Sequence, residues 1–180
     1  ITGLALAAAD GAAAWIDVTE LSPDDDRALA DWLADEAAPK AMHDAKGPML
    51  AIWSRGWELA GLASDTQLAA YLLRPDQRVY DLADLVARYL KRDLAVAGGG
   101  SAESDQLAFS FDDTDSHDAM VRARAVIDLA AALEAELGAQ GGASLLAEVE
   151  LPLTRTLAKM ERVGVAVDLD HLNRLHTEQE

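Results

Sequence analysis

The chain has 180 residues, 51% of them apolar, enough for one substantial hydrophobic core and a small appendage. It carries 15 Lys and Arg against 32 Asp and Glu, and at a formal charge of −17 it is expected on its own to bind DNA weakly or not at all, because a phosphate grip needs a surplus of cations. The absence of cysteine excludes disulfides and thiolate metal sites and fits a cytoplasmic location, and no apolar run approaches the roughly 20 residues that span a bilayer.

A secretory signal is not expected, since Leu4 to Ala14 lacks a basic flank and is interrupted by Asp10 and Gly11. Ile1 has no preceding methionine and Glu180 interrupts a helical pattern, so the chain reads as an excised part of a longer protein. Thr2 to Ala9 and Ala12 to Val18 are apolar segments joined by Asp10-Gly11, a strong hairpin signal. Ser22 then caps a helix with Pro23 in its first turn, acids Asp24 to Asp26 near its positive end, and Leu29, Trp32 and Leu33 as its buried stripe. Pro39 closes that helix, Lys40 to His43 is a short strand, and a helix runs from about Pro48 to Trp57. Leu59 to Ala63 forms another brief strand, Asp65 or Ser64 caps a helix bearing Leu68, Tyr71 and Leu72, and a further helix covers Tyr80 to Lys91. Between Lys91 and Arg122 the character changes: Gly98-Gly99-Gly100-Ser101 and the acids Glu103, Asp105, Asp112, Asp113, Asp115 and Asp118 read as a flexible acidic loop over about residues 94–117. Helix returns from about His117 to Leu137, breaks at Gly138 to Gly142 and resumes at Ser144.

The end of the chain is the most specific stretch. Val149, Leu153, Leu157 and Met160 recur at helical spacing, Gly164 stops the helix, Val165 and Val167 alternate as one face of a short strand, and a second helix opens at Asp168. Glu150, Pro152, Leu153, Leu157, Met160, Glu161, Gly164, Val165, Val167 and Asp168 together resemble the E-x-P-L-x-x-x-L-A-x-M-E-x-x-G-V-x-V-D signature that introduces the polymerase domain of family A DNA polymerases, the DNA polymerase I type. Thr2-Gly3-Leu4, Trp15-Ile16-Asp17-Val18, Ser64-Asp65-Thr66 and Asp84-Leu85 follow in the order of that family's 3′-5′ exonuclease domain. The resemblance implies an α/β, ribonuclease H-like fold, a mixed sheet flanked by helices with its first strand missing and a C-terminal helical extension. It also implies an exonuclease-like domain over residues 1–143 and the start of a polymerase domain, with connecting helix, short strand and first thumb helix, over residues 144–180.

Exonuclease chemistry in this family uses two metal ions held by a carboxylate cluster. The upstream D-x-E pair would lie on the missing strand. The third carboxylate ends an N-x-K-Y/F-D motif that here reads Asp44-Ala45-Lys46-Gly47-Pro48, so Pro48 replaces a ligand. The fourth belongs to a Y-x-x-x-D motif aligned with Val121-Arg122-Ala123-Arg124-Ala125, so Val121 replaces the tyrosine, Ala125 the aspartate, and Arg122 and Arg124 add positive charge. Asp44, Asp65, Asp118 and Asp128 are the substitutes within reach, and each has a structural alternative as a cap or a surface acid. His43 reads as a strand-end residue, and His117, His171 and His176 lack ligand spacing. No phosphate-binding glycine loop or nucleophile motif is present.

The expected role is therefore a non-catalytic, structural exonuclease-like domain, with no catalytic, cofactor-binding or metal residues of its own. Its parent would be a DNA polymerase I that uses Mg²⁺ for template-directed synthesis in replication and repair. The expected partners are the rest of the same polymerase chain and, for the full-length protein, DNA; no membrane is expected. Two alternatives stand beside this: an active proofreading exonuclease built on non-standard carboxylates, and an acidic module that docks a basic protein.

Overall fold

The structure is a computed structural model that describes residues 1–94 and 111–179. The glycine run and the acids Glu103 and Asp105 lie outside the described residues.

Local chemistry builds the first hairpin as expected. Strands β1 (Gly3–Ala7) and β2 (Ala13–Asp17) pair antiparallel, with Ala5 opposite Trp15. Their turn is held by Asp10 Oδ1 accepting the Ala12 N–H at 2.9 Å, and Gly11 supplies a φ of +99°. Helix α1 (Pro23–Ala34) has Ser22 at its cap and three aspartates in its first turn. Leu29 and Leu33 are buried, but Trp32, expected beside them, is 39% exposed. Its ring instead covers the Lys40 ammonium, 4.9 Å from the ring centroid. Lys40 opens β3 (Lys40–Met42) and donates at 2.8 Å to the carbonyls of Asp35 and Ala38, closing the link from α1.

Helix α2 spans Lys46–Ser54, starting and ending earlier than expected. Pro48 is thus its third residue, where the backbone N–H that proline lacks would have no helical partner anyway. Strand β4 (Leu62–Asp65) lies a few residues later than expected and pairs parallel with β3. Asp65 caps α3 (Thr66–Leu73), and α4 (Leu82–Leu85) continues as a π-helical turn, Val86–Leu90, ended by Lys91 at φ +55°. Tyr71 is exposed, because Ala69, Ala70 and Leu73 form the face of α3 that meets the core.

Helix α5 runs from Phe111 to Gln140, so it begins six residues before the expected start at His117. Asp112, Asp113, Asp115 and Asp118 therefore fall within the helix rather than in a loop. Gly141 at φ +75° breaks the chain, and α6 (Ala143–Leu145), a π turn (Leu146–Glu150) and α7 (Leu151–Val163) follow without interruption. Gly164 ends α7 at φ +73°, its N–H bonded to the Met160 carbonyl at 3.0 Å. The expected strand at Val165–Val167 does not form: among the described residues no neighbour pairs with it, and an isolated strand leaves its backbone groups to water. Asp168 caps α8 (Leu169–Gln179) by accepting the His171 N–H at 2.9 Å.

Two hydrophobic cores result. One joins α3, α4 and the following π turn to α5 through Leu85, Val86, Leu129 and Leu133, with Leu146 and Leu151 closing it. The other joins Val18 to α1, α2 and Leu59, closed by Ala158 of α7. Helix α7 thus contributes to both. Instead of one mixed sheet, the described residues form two two-stranded sheets, β1-β2 and β3-β4. No helix among the described residues is long and apolar enough to cross a membrane.

Candidate functional site between the two sheets

Among the described residues β1 and β3 each pair on one side only, and both line a cavity of about 800 Å³ floored by α5. Leu4 to Ala9 form one wall and Lys40 to His43 the other, while Ala63, Ser64 and Pro48 close one end. Helix α5 contributes Ala119, Arg122, Ala123 and Val126 and, a few turns on, Glu134. Most of this lining is small or apolar, as expected where one-sided strands meet the flank of a helix.

The polar groups cluster toward β3. Lys40 is buried, and burial pulls its ammonium below the ordinary lysine value against the opposing pull of the Asp35 carboxylate. His43 Nδ1 lies 2.8 Å from Thr66 Oγ1. Burial lowers the His43 pKa from its ordinary 6.5; the carboxylates of Asp65, Asp44 and Asp81 oppose this, and Arg122 adds to it. Ser64 Oγ is buried without a hydrogen-bond partner.

The residues singled out in the sequence divide clearly. Pro48 lines the cavity, as does Arg122. Val121 and Ala125 do not: Ala125 is buried in the core against α3 and α4. Asp65 is buried and fully used, its Oδ1 accepting N–H groups of Asp44 (3.2 Å), Gln67 (2.9 Å) and Leu68 (3.3 Å) and its Oδ2 that of Ala45 (2.8 Å). Asp44 is exposed, with a left-handed backbone at φ +51°. Asp128 is bound to Arg124 at 2.9 Å and to Arg92, while Arg124 also reaches the Ala8 carbonyl at 2.9 Å and ties the hairpin to α5. None of these aspartates, nor Asp118, lines the cavity. The sequence marked Lys40 only as the start of a strand and Ser64 only as a cap candidate and family landmark, because their place at the cavity comes from the meeting of β3 and β4 with α5, which are far apart in the chain.

Two divalent ions need several oxygen ligands converging at short range. The cavity wall offers one carboxylate, Glu134, together with two cationic side chains, Lys40 and Arg122. Among the described residues no group of three or more His, Cys, Asp or Glu is arranged to hold a metal. The donor set does not fit a two-metal centre.

Comparison with known proteins agrees with the resemblance in the sequence. The family model for the ribonuclease H-like domain of DNA polymerase I matches residues 1–97. DNA polymerase I of Mycobacterium tuberculosis strain H37Rv is 51% identical over 181 residues, covering 98% of this chain and 20% of that protein. DNA polymerase I of Geobacillus stearothermophilus is 36% identical over 161 residues, covering 84% of this chain and 18% of its own length. A solved structure described as the POL domain of Pol1 from M. smegmatis in complex with DNA primer-template and dNTP superposes with a TM-score of 0.86 at 46% identity, covering 98% of this chain and 28% of that one. The chain spans about a fifth of the length of the curated relatives it matches. From its first strand through its fourth helix, the chain belongs to the DNA polymerase I ribonuclease H-like domain family.

Proposed function

We propose that this chain is the non-catalytic, structural exonuclease-like domain of a DNA polymerase I, joined to the first elements of its polymerase domain. The longer chain carries out template-directed DNA synthesis in replication and repair, and residues beyond this segment hold its Mg²⁺. The observation that carries the reading is the lining of the cavity: Pro48, aligned with one of the family's metal ligands, and the cation Arg122 line it, and the nearby carboxylate of Asp65 is committed to four backbone amides. A guanidinium beside a would-be metal site repels the ion that a carboxylate would attract.

The same cavity supports completion of the sheet by one further strand of the longer chain. Its two walls are strands paired on one side only, an arrangement that invites a third strand between them, and the unpartnered Ser64 hydroxyl offers that strand a hydrogen bond.

The test of the inactive reading uses the full-length polymerase with Mg²⁺ or Mn²⁺ and a labelled single-stranded 3′ end. The expected result is an intact end over hours while primer extension proceeds in a parallel reaction. Metal-dependent shortening that copurifies with the polymerase and is absent from a mock preparation would overturn it.

A further inference from the structure

The surface running from the end of α3 to the end of the π turn after α4 reverses the charge of the rest of the chain. Between Arg74 and Arg92 lie five of the 15 cations but only three of the 32 acids, Asp76, Asp81 and Asp84. Asp81 is already in use, its carboxylate accepting the Ala83 N–H at 2.8 Å as the cap of α4. Elsewhere cations are consumed by the fold: Lys46, Arg55, Arg124 and Arg155 each hold a carboxylate, as does Arg92 at the border of the patch. Among the described residues no carboxylate stands within ion-pairing distance of Arg74, Arg78, Arg88 or Lys91. All three tyrosines of the chain lie in the same stretch. Tyr71, 46% exposed, meets Tyr80 edge to face with ring centroids 5.8 Å apart, and the Tyr80 hydroxyl donates to the Arg74 carbonyl at 2.6 Å. Burial raises the Tyr89 phenol above its ordinary value of 10 and Glu136 adds to this, while Arg88 and Arg74 oppose it, so two guanidinium groups act on one ring. Helix ends attract cations, and Arg74 and Lys91 each stand at one. That accounts for part of the charge, but not for a tyrosine ring left in water beside it. None of these side chains lines the cavity between the sheets.

We infer that this patch holds single-stranded DNA, with Arg74, Arg78 and Arg88 on the phosphates and Tyr71 stacked against a base, at a place separate from the cavity. The choice of DNA as the strand rests on the reading above that the longer chain works on DNA; the patch itself does not. Chemistry selects a nucleic acid over an acidic protein segment. Carboxylates would satisfy the arginines alone, whereas a strand brings phosphates for the cations and flat bases for the exposed aromatic ring. A duplex keeps its base faces stacked inside, so the strand that fits is a single one. The formal charge of −17 does not close the patch, because at physiological salt exposed charges more than about 8 Å apart are largely screened and only the neighbouring acids count.

The test uses the full-length polymerase in EDTA, which stops metal-dependent synthesis and end-shortening, and takes as its probe single-stranded oligothymidylate carrying 5-bromouracil. Ultraviolet cross-linking is followed by mass spectrometry of the peptides. The expected result is a cross-link at Tyr71 or Tyr80. Its yield should be about five-fold lower in Arg74→Gln/Arg88→Gln, which removes two phosphate contacts, and should be retained in Arg74→Lys/Arg88→Lys. Both variants should melt with the parent protein, since neither arginine makes an ion pair among the described residues. Absence of a cross-link at either tyrosine in the parent protein would overturn the inference. So would displacement of the probe from these tyrosines by polyglutamate as readily as by unlabelled oligothymidylate, which would assign the patch to acidic protein segments. Primer extension with Mg²⁺ is scored on the same preparation, and the outcomes separate: a protein that cross-links at Tyr71 but extends no primer keeps the patch and retires the polymerase reading, and one that extends primers without the cross-link does the reverse.

Discussion

The Asp65 carboxylate accepts N–H groups from Asp44, Ala45, Gln67 and Leu68, so a single buried side chain fixes both the entry to α2 and the start of α3. Asp65→Ala removes a helix cap and leaves two further amides without their partner, and should cost about 3 kcal/mol in urea unfolding; Asp65→Asn, which keeps one acceptor oxygen, should cost less. This role was legible in the sequence, because Ser-Asp-Thr before an apolar helical run is a local signal. His43 was not: its contact with Thr66 spans 23 residues, and nothing near it in sequence announces burial. Its lowered pKa gives a definite sign. The folded state holds the neutral ring more firmly than the unfolded state does, so the unfolded chain binds more protons below the ordinary value of 6.5. The contribution is present above that value and is lost as the pH falls through and below it. Comparing denaturant midpoints at pH 7.5 and 5.5, His43→Gln should flatten part of the acid-side loss.

At the scale of elements, the hairpin, the caps of α1, α3 and α8 and the end of α7 were readable because each is set within a few residues. Helix faces were read less well. Periodicity finds an apolar stripe on α7, yet the stripe through Val149, Leu153 and Met160 faces outward, and the side that meets the cores carries small residues, Thr154 and Ala158, that hydropathy alone does not mark. Close approach explains the difference: Ala158 is wholly buried against the core containing Trp53, and a longer side chain has no room there. Ala158→Leu should therefore destabilise the fold by about 1–3 kcal/mol through overpacking, measured by thermal or chemical melting, despite adding apolar surface. Gly61 is the comparable constraint in the link before β4. Its φ is +66°, and a Cβ built there would stand 2.5 Å from the Ala38 carbonyl oxygen. Gly61→Ala should cost about 1–3 kcal/mol, and the loss should appear together with faster amide exchange in Lys40, whose N–H bonds the Gly61 carbonyl at 2.8 Å.

At the scale of the whole molecule, the described residues form two half-sheets, a helix floor and a helix shared between two cores. Composition could not show that Lys40, Arg122 and His43 gather around one cavity. That gathering depends on the crossover from β3 through α2 to β4 and on the long return of α5. Ala125, aligned in the sequence with a family ligand, is buried in the core, and Arg122, three residues earlier, lines the cavity. The central claim is that this cavity no longer holds metal ions. The most direct measurement is an anomalous difference map from crystals of the full-length polymerase with a primer-template, soaked in Mn²⁺ and recorded at the manganese edge. The account predicts a peak at the polymerase centre and none within the cavity bordered by Pro48, His43 and Arg122. A second peak there, coordinated by carboxylates of the longer chain, would contradict it.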